Sequence, residues 1–317
     1  MQKNAVVLFT RVRLFSTISV GLAILTSLIF SDLLGEASMG WQVVVAVIAL
    51  AIGIPHGALD HLVTLPKAQP KKMALFILVY VAIAIVAVIG ILNFNIVGFI
   101  LVLFMSAVHF GIGDAAYINE MDRRGGRKAK LPRTIYAVAA GATPVMIPLV
   151  NSASTDALAQ VNPALIDWHQ GFDQEILYGV SGFALIAIVT LFMMHRKRES
   201  LDIALLLALA LIAPPLIAFA VYFGCWHAMR HTARLTSLLP NSESAYLRGR
   251  PGQAFAAAVI PGLPALAGTF IFVIVLAGFS QQDLSDKFLW LTLVTIWALT
   301  VPHMIVTAKL DRAALKD

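Results

Sequence analysis

Residues 41–64 read WQVVVAVIALAIGIPHGALDHLVT. The first fourteen positions are almost wholly apolar, as a helix crossing hydrocarbon requires, and the run is long enough to span a bilayer, which takes ~20 residues. Yet it closes on two histidines and an aspartate, His56, His61 and Asp60. Working outward, the same texture recurs near 12–33, 73–94, 96–118, 134–151, 174–195, 201–213, 215–238, 253–279 and 286–308. Of the 317 residues 59% are hydrophobic and 13% charged, about half the charge of an ordinary soluble domain. Most of this chain cannot face water. The reading is an all-α, polytopic transmembrane bundle, one integral domain over 1–317, with about ten spans. Seven to nine remain compatible if some runs are re-entrant.

The connections alternate in charge. Lys3, Arg11 and Arg13 precede the first run, and SDLLGE follows it with no base. Lys67, Lys71 and Lys72 lie in the second connection, and NFN forms the third. Arg123, Arg124, Arg127, Lys128, Lys130 and Arg133 crowd the fourth, whereas residues 152–173 carry acids only. HRKRES, then Arg248 and Arg250, continue the pattern, followed by SQQDLSD and finally Lys309, Arg312 and Lys316. Basic connections stay in the cytoplasm, so both termini are expected there, in a cell's inner (cytoplasmic) membrane. Two runs between 201 and 238 are short for full crossings, and Pro214–Pro215 supplies a break between them. The net charge of +6 is this topology signal and not a nucleic-acid footprint. The single cysteine excludes an internal disulfide framework. The first run lacks a small-residue cleavage site and is expected to be retained as a helix.

Of eight histidines, His169 and His195 fall in connections. His56, His61, His109, His227, His231 and His303 lie within apolar runs. Counting ~1.5 Å per residue from the outer end, His56 lies about 22 Å deep, His109 about 20 Å, His227 about 18 Å and His303 about 25 Å. One buried histidine is usually a simple interhelical hydrogen-bonder. Four runs converging on one depth point instead to a metal or proton site, because intramembrane ionisable groups are costly and mark function. His227 and His231, four apart in CWHAMRHTA, share a helix face and can chelate one ion. His61 is rotated ~140° from His56 on an unbroken helix, so which of the two meets a metal stays open. Asp60 and Asp114 are natural partners for the second ring nitrogen of a ligand, although Asp60 could instead pair with Arg230 or Lys67, and Asp114 could cap a helix. Imidazole-rich sites suit iron, zinc or copper. The scarcity of glutamate at this depth leans toward oxygen chemistry over zinc hydrolysis.

PHGALDH, HFGIGD and WHAMRH, followed by VPHM, resemble the signature blocks of the Brp/Blh family of bacterial and archaeal membrane β-carotene 15,15′-dioxygenases. The resemblance covers most of the chain, with four blocks in order from 55 to 304. It implies Fe(II)- and O2-dependent cleavage of β-carotene at its central double bond into two all-trans-retinal molecules, with a functional link to a microbial rhodopsin. It also implies iron held by His56, His109, His227 and His231, with His61 and His303 matching the blocks but less defined in role. A lipid-dissolved polyene would enter from the bilayer into an apolar tunnel. Candidate walls are Met105, Phe110, Tyr222, Phe223, Trp226, Met229, Trp297 and Met304, though plain helix packing accounts for any one of them. The rival readings are a b-type haem protein and a transporter or proton relay built on the same intramembrane histidines.

Overall fold

The computed structural model describes residues 2–30, 39–65, 69–127, 130–152, 154–278 and 284–315. Residues 31–36, Lys67, Lys128, most of 280–286 and Lys316 lie outside them. Among the described residues every regular element is helical. Seven helices are long and apolar enough to cross a membrane: Lys3–Ile29, Trp41–Thr64, Pro70–Asn93, Asn95–Gly125, Asp173–Met193, Pro251–Phe272 and Trp290–Ala314. This is a multi-pass membrane protein. The three other apolar runs form shorter or interrupted helices. Arg133–Met146 has 14 residues and Lys197–Ile212 has 16. These rise roughly 21 and 24 Å, against ~30 Å of hydrocarbon.

In chain order, α1 is Gln2–Ile29, α2 Met39–Gly57, α3 Asp60–Thr64, α4 Pro70–Asn93 and α5 Asn95–Gly125. Next come α6 Arg133–Met146, α7 Ser154–Val161, α8 Asp173–Met193 and α9 Lys197–Ile212. After Pro214, α10 Pro215–Ala220 loosens into π-helical turns over Val221–Ala228 and resumes as α11 Met229–Leu235. The chain closes with α12 Pro240–Leu247, α13 Pro251–Val259, α14 Pro264–Gly278 and α15 Leu284–Ala314.

The exterior is apolar, as a lipid-facing surface must be. On α4, Leu75, Leu78, Val79, Val86 and Ile89 are exposed, and on α8 Leu185, Ile186 and Val189 are too. The interior holds the charge. Arg196, Arg230 and Arg234 are among the largest fully buried side chains, so Arg196 of the basic HRKRES connection lies inside the bundle and not in a solvated loop. Arg13 of α1 reaches Glu199 and Asp202 of α9 at 2.8 Å each. Arg196 meets Asp122 at 2.6 Å and Glu199 at 2.9 Å. Arg234 meets Asp311 at 2.6 Å and Glu120 at 3.1 Å. A buried ion is tolerated only when so paired, and these pairs tie α1, α5, α9, α11 and α15 together.

Two close approaches set the geometry around the future site. A Cβ on Gly111 would strike the Ala137 carbonyl, and one on Gly141 would strike the Ala107 carbonyl. Only glycine lets α5 and α6 cross at that distance. Gly262, between α13 and α14, likewise abuts the backbone of Pro55, one residue before His56.

Candidate metal centre and its cavities

Pro55 lies inside α2, which ends two residues later; a new helix starts at Asp60. Proline contributes no N–H to the ladder, and the chain re-forms its turn by Leu62 and Val63 donating to the Leu59 carbonyl. The helix is therefore broken between His56 and His61, and the two project from separate elements. His109 comes from mid-α5, His227 from the π-helical turns, His231 from α11 and His303 from α15, after Pro302. Widened π turns recur at functional sites because they re-aim side chains.

These elements bring five imidazoles together. His56 touches His227 at 5.5 Å between ring centroids, His227 touches His109 at 5.1 Å, His109 touches His303 at 5.1 Å, and His303 returns to His56 at 5.1 Å. His231 stands against all four, at 5.1 Å from His56, 5.4 Å from His303, 6.0 Å from His227 and 6.2 Å from His109. The rings thus form a four-membered circuit with His231 capping it. All five are at most 6% exposed.

Most of their nitrogens fall into two sets. His56 Nδ1 donates to the Gly53 carbonyl. His303 Nδ1 faces both oxygens of Asp60, at 2.9 and 3.1 Å. Thr307 donates its hydroxyl hydrogen to the His303 carbonyl at 2.9 Å, leaving its oxygen to accept from His109 Nδ1 at 3.4 Å. With Nδ1 anchored, a neutral ring keeps its lone pair on Nε2. Among the described residues, Nε2 of His109, His227 and His303, and both nitrogens of His231, are buried without a hydrogen-bond partner. Buried polar atoms are ordinarily satisfied, so a cluster of orphaned imidazole nitrogens asks for a cation. Rings bound to one ion through ~2.1 Å nitrogen contacts would stand roughly 4.6–5.4 Å apart. The circuit lies near that range, and His231–His227 and His231–His109 are wider. Among the described residues no three or more His, Cys, Asp or Glu side chains already form a closed metal-binding group; what fits an imidazole-ligated ion is the donor set itself, neutral buried rings with open nitrogen lone pairs.

A cavity of about 270 Å³ adjoins the rings, lined among others by His56, His61, His109 and His303 and by Phe76, Ile77, Tyr80, Phe110, Phe223 and Thr300. Ile77 is exposed, so this cavity reaches the lipid-facing surface beside α4. A second, of about 150 Å³, is lined by Leu50, Phe99, Leu103, Phe219, Trp297 and others. The two share Phe110, Phe223, Ile296 and Thr300, next to the ring cluster.

A model of the family described as "Beta-carotene 15,15′-dioxygenase" matches residues 47–311, which include all five rings. The chain belongs to that family. It is 26% identical over 266 residues to the β-carotene 15,15′-dioxygenase of the uncultured marine bacterium 66A03, covering 80% of this chain and 88% of that protein. It is 25% identical over 304 residues to a probable β-carotene 15,15′-dioxygenase of Halobacterium salinarum, covering 83% and 82%. No solved structure matches the chain.

Within this dioxygenase-family fold the residues read from sequence fall into distinct places. His56, His109, His227, His231 and His303 are in the cluster. His61 is partly exposed and lines the cavity without a place in the ring circuit. Asp60 meets His303 and Tyr80, not Arg230. Asp114 lies mid-helix and accepts from Trp226 Nε1 at 2.6 Å, with Arg230 at 3.7 Å. It therefore braces the segment carrying His227 and His231 rather than capping a helix. Arg230 in turn lies 3.5 Å over the Trp226 ring. Of the proposed tunnel walls, Phe110, Phe223 and Trp297 line a cavity. Tyr222, Trp226 and Met304 are buried, and Met105 and Met229 partly buried, as helix packing. Tyr80, Thr307 and Gly53 were not singled out in the sequence. A lone tyrosine in FILVYVAIAI and a threonine four residues after His303 were the available signals.

Proposed function

We propose that this chain cleaves the central 15,15′ double bond of β-carotene with O2, giving two all-trans-retinal molecules. The observation that carries the reading is the cluster of buried, partnerless imidazole nitrogens opening on an apolar cavity in a chain of this family. In the proposal His56, His109, His227 and His231 hold Fe(II). Iron held there would supply the redox chemistry that ordinary side chains lack for activating O2.

The protein's own contribution is placement and exclusion. Apolar walls at Phe110, Phe223 and Ile296 receive a polyene and keep water from the reacting carbons. Entry past Ile77 lets a lipid-dissolved substrate arrive without crossing water. The two cavities would take the two halves of the chain, with their shared walls setting its middle beside the rings. Overall, one carbon–carbon double bond breaks and each carbon takes one oxygen atom of O2. The retinal would supply a microbial rhodopsin, and the enzyme would sit in the cytoplasmic membrane with both termini inside. Rings packed in mutual contact argue against a b-type haem, whose porphyrin needs two axial histidines held apart.

The test is expression in a β-carotene-producing bacterium beside the His227→Ala/His231→Ala variant, with pigments separated chromatographically. The parent is expected to bleach the cells and accumulate all-trans-retinal, and the variant to stay orange. Undiminished β-carotene in cells with well-expressed parent would overturn the substrate assignment.

A further inference from the structure

We infer that His303 is a fifth imidazole of the centre, with Asp60 and Tyr80 as its positioning residues. This rests on the reading of the ring cluster as a metal centre and adds to it a ring and its supports. His303 contacts His56, His109 and His231 at 5.1–5.4 Å, as closely as the other four contact one another. Its Nε2 is buried and has no hydrogen-bond partner among the described residues. Its Nδ1 is held by Asp60, and Asp60 Oδ2 is held in turn by the Tyr80 hydroxyl at 3.0 Å.

The chain Tyr80–Asp60–His303 draws on three elements, α4, α3 and α15. Tyr80 donates, so the carboxylate is left as acceptor toward the ring, and the ring proton is kept on Nδ1. That fixes the tautomer whose lone pair sits on Nε2 and clamps the ring's rotation, the usual task of a carboxylate behind a ligating histidine. The break after Gly57 is what makes this work: it turns Asp60 out of register with His56 and toward α15. Gly57 itself lies against the His303 ring, where a Cβ would stand 3.5 Å from Nδ1.

The test is Co²⁺ binding by the detergent-solubilised full chain, followed by chelator competition and by the visible ligand-field band. The parent is expected to take one Co²⁺. His303→Ala is expected to weaken binding about 10–100-fold and to shift the band. Asp60→Asn, whose amide can donate to Nδ1 and push the proton to Nε2, is expected to weaken it about tenfold and shift the band, and Tyr80→Phe less. His169→Ala, outside the cluster, is the control and should match the parent. Asp60→Asn and Tyr80→Phe preserve shape and decide the matter should His303→Ala fail to fold. Parent-like affinity and band in both His303→Ala and Asp60→Asn, with binding lost in His227→Ala/His231→Ala, would sink this inference while leaving the metal centre. A parent that takes no Co²⁺ would overturn both.

Discussion

Two polar regions lie buried side by side along α5, α11 and α15, and they are built on opposite principles. In the arginine–carboxylate network, Arg13, Arg196 and Arg234 each have carboxylates within 3.1 Å. In the ring cluster, one residue along from Arg230 and within three of Arg234, five imidazole nitrogens have no hydrogen-bond partner among the described residues. The first region is matched charge against charge, a carboxylate beside each guanidinium, and so can serve as glue between helices. The second is left open, which stability alone does not explain. Proximity in sequence hides the difference: Arg230 and His231 are neighbours, yet one faces Asp114 and Asp202 at 3.7 and 3.6 Å and the other faces four histidines.

The contrast predicts separable phenotypes. The largest effect is expected from His227→Ala/His231→Ala: retinal formation falls by at least about a thousandfold, near 4 kcal/mol, while thermal unfolding in detergent stays close to the parent's. Co-loss of folding would merge the two regions and break the comparison. Next, Arg234→Ala strands Glu120 and Asp311 and is expected to cost about 3–5 kcal/mol, read as a large drop in unfolding temperature or in folded yield. Unchanged stability would deny the network its role as glue. Third, Gly111→Ala drives a Cβ into the Ala137 carbonyl, where backbone cannot yield, and should cost about 1–3 kcal/mol without altering which bond is cut. Fourth, Phe223→Ala opens the wall shared by both cavities and should loosen the position of the cut, seen as longer and shorter apocarotenals beside retinal; purely central products would exclude Phe223 from positioning the polyene. The smallest effect is expected at Leu78→Ala, on the lipid-facing side of α4, within about 0.5 kcal/mol of the parent.

Much of this was legible in one dimension. Apolar runs of membrane length, with a break at Pro214–Pro215, follow from local composition, because backbone groups in lipid have no choice but helix; the break after Gly57 that separates His56 from His61 was not read there. That histidines from four runs would share a depth followed from counting residues at a fixed rise. The i, i+4 pair His227–His231 was equally local, although the π turns that carry His227 were not.

What required the fold were relations between residues far apart in the chain. His303 and Asp60 are 243 positions apart, and Arg13 and Glu199 are 186 apart. No periodicity records such pairs. The sequence by itself determined that ionisable side chains would be enclosed by lipid, since hydrophobicity is a property of each segment alone. Only the tertiary structure decided which of them neutralise one another and which are left with open lone pairs, because that depends on where helices cross. The crossings are set by contacts as fine as Gly111 on Ala137 and Gly262 on Pro55.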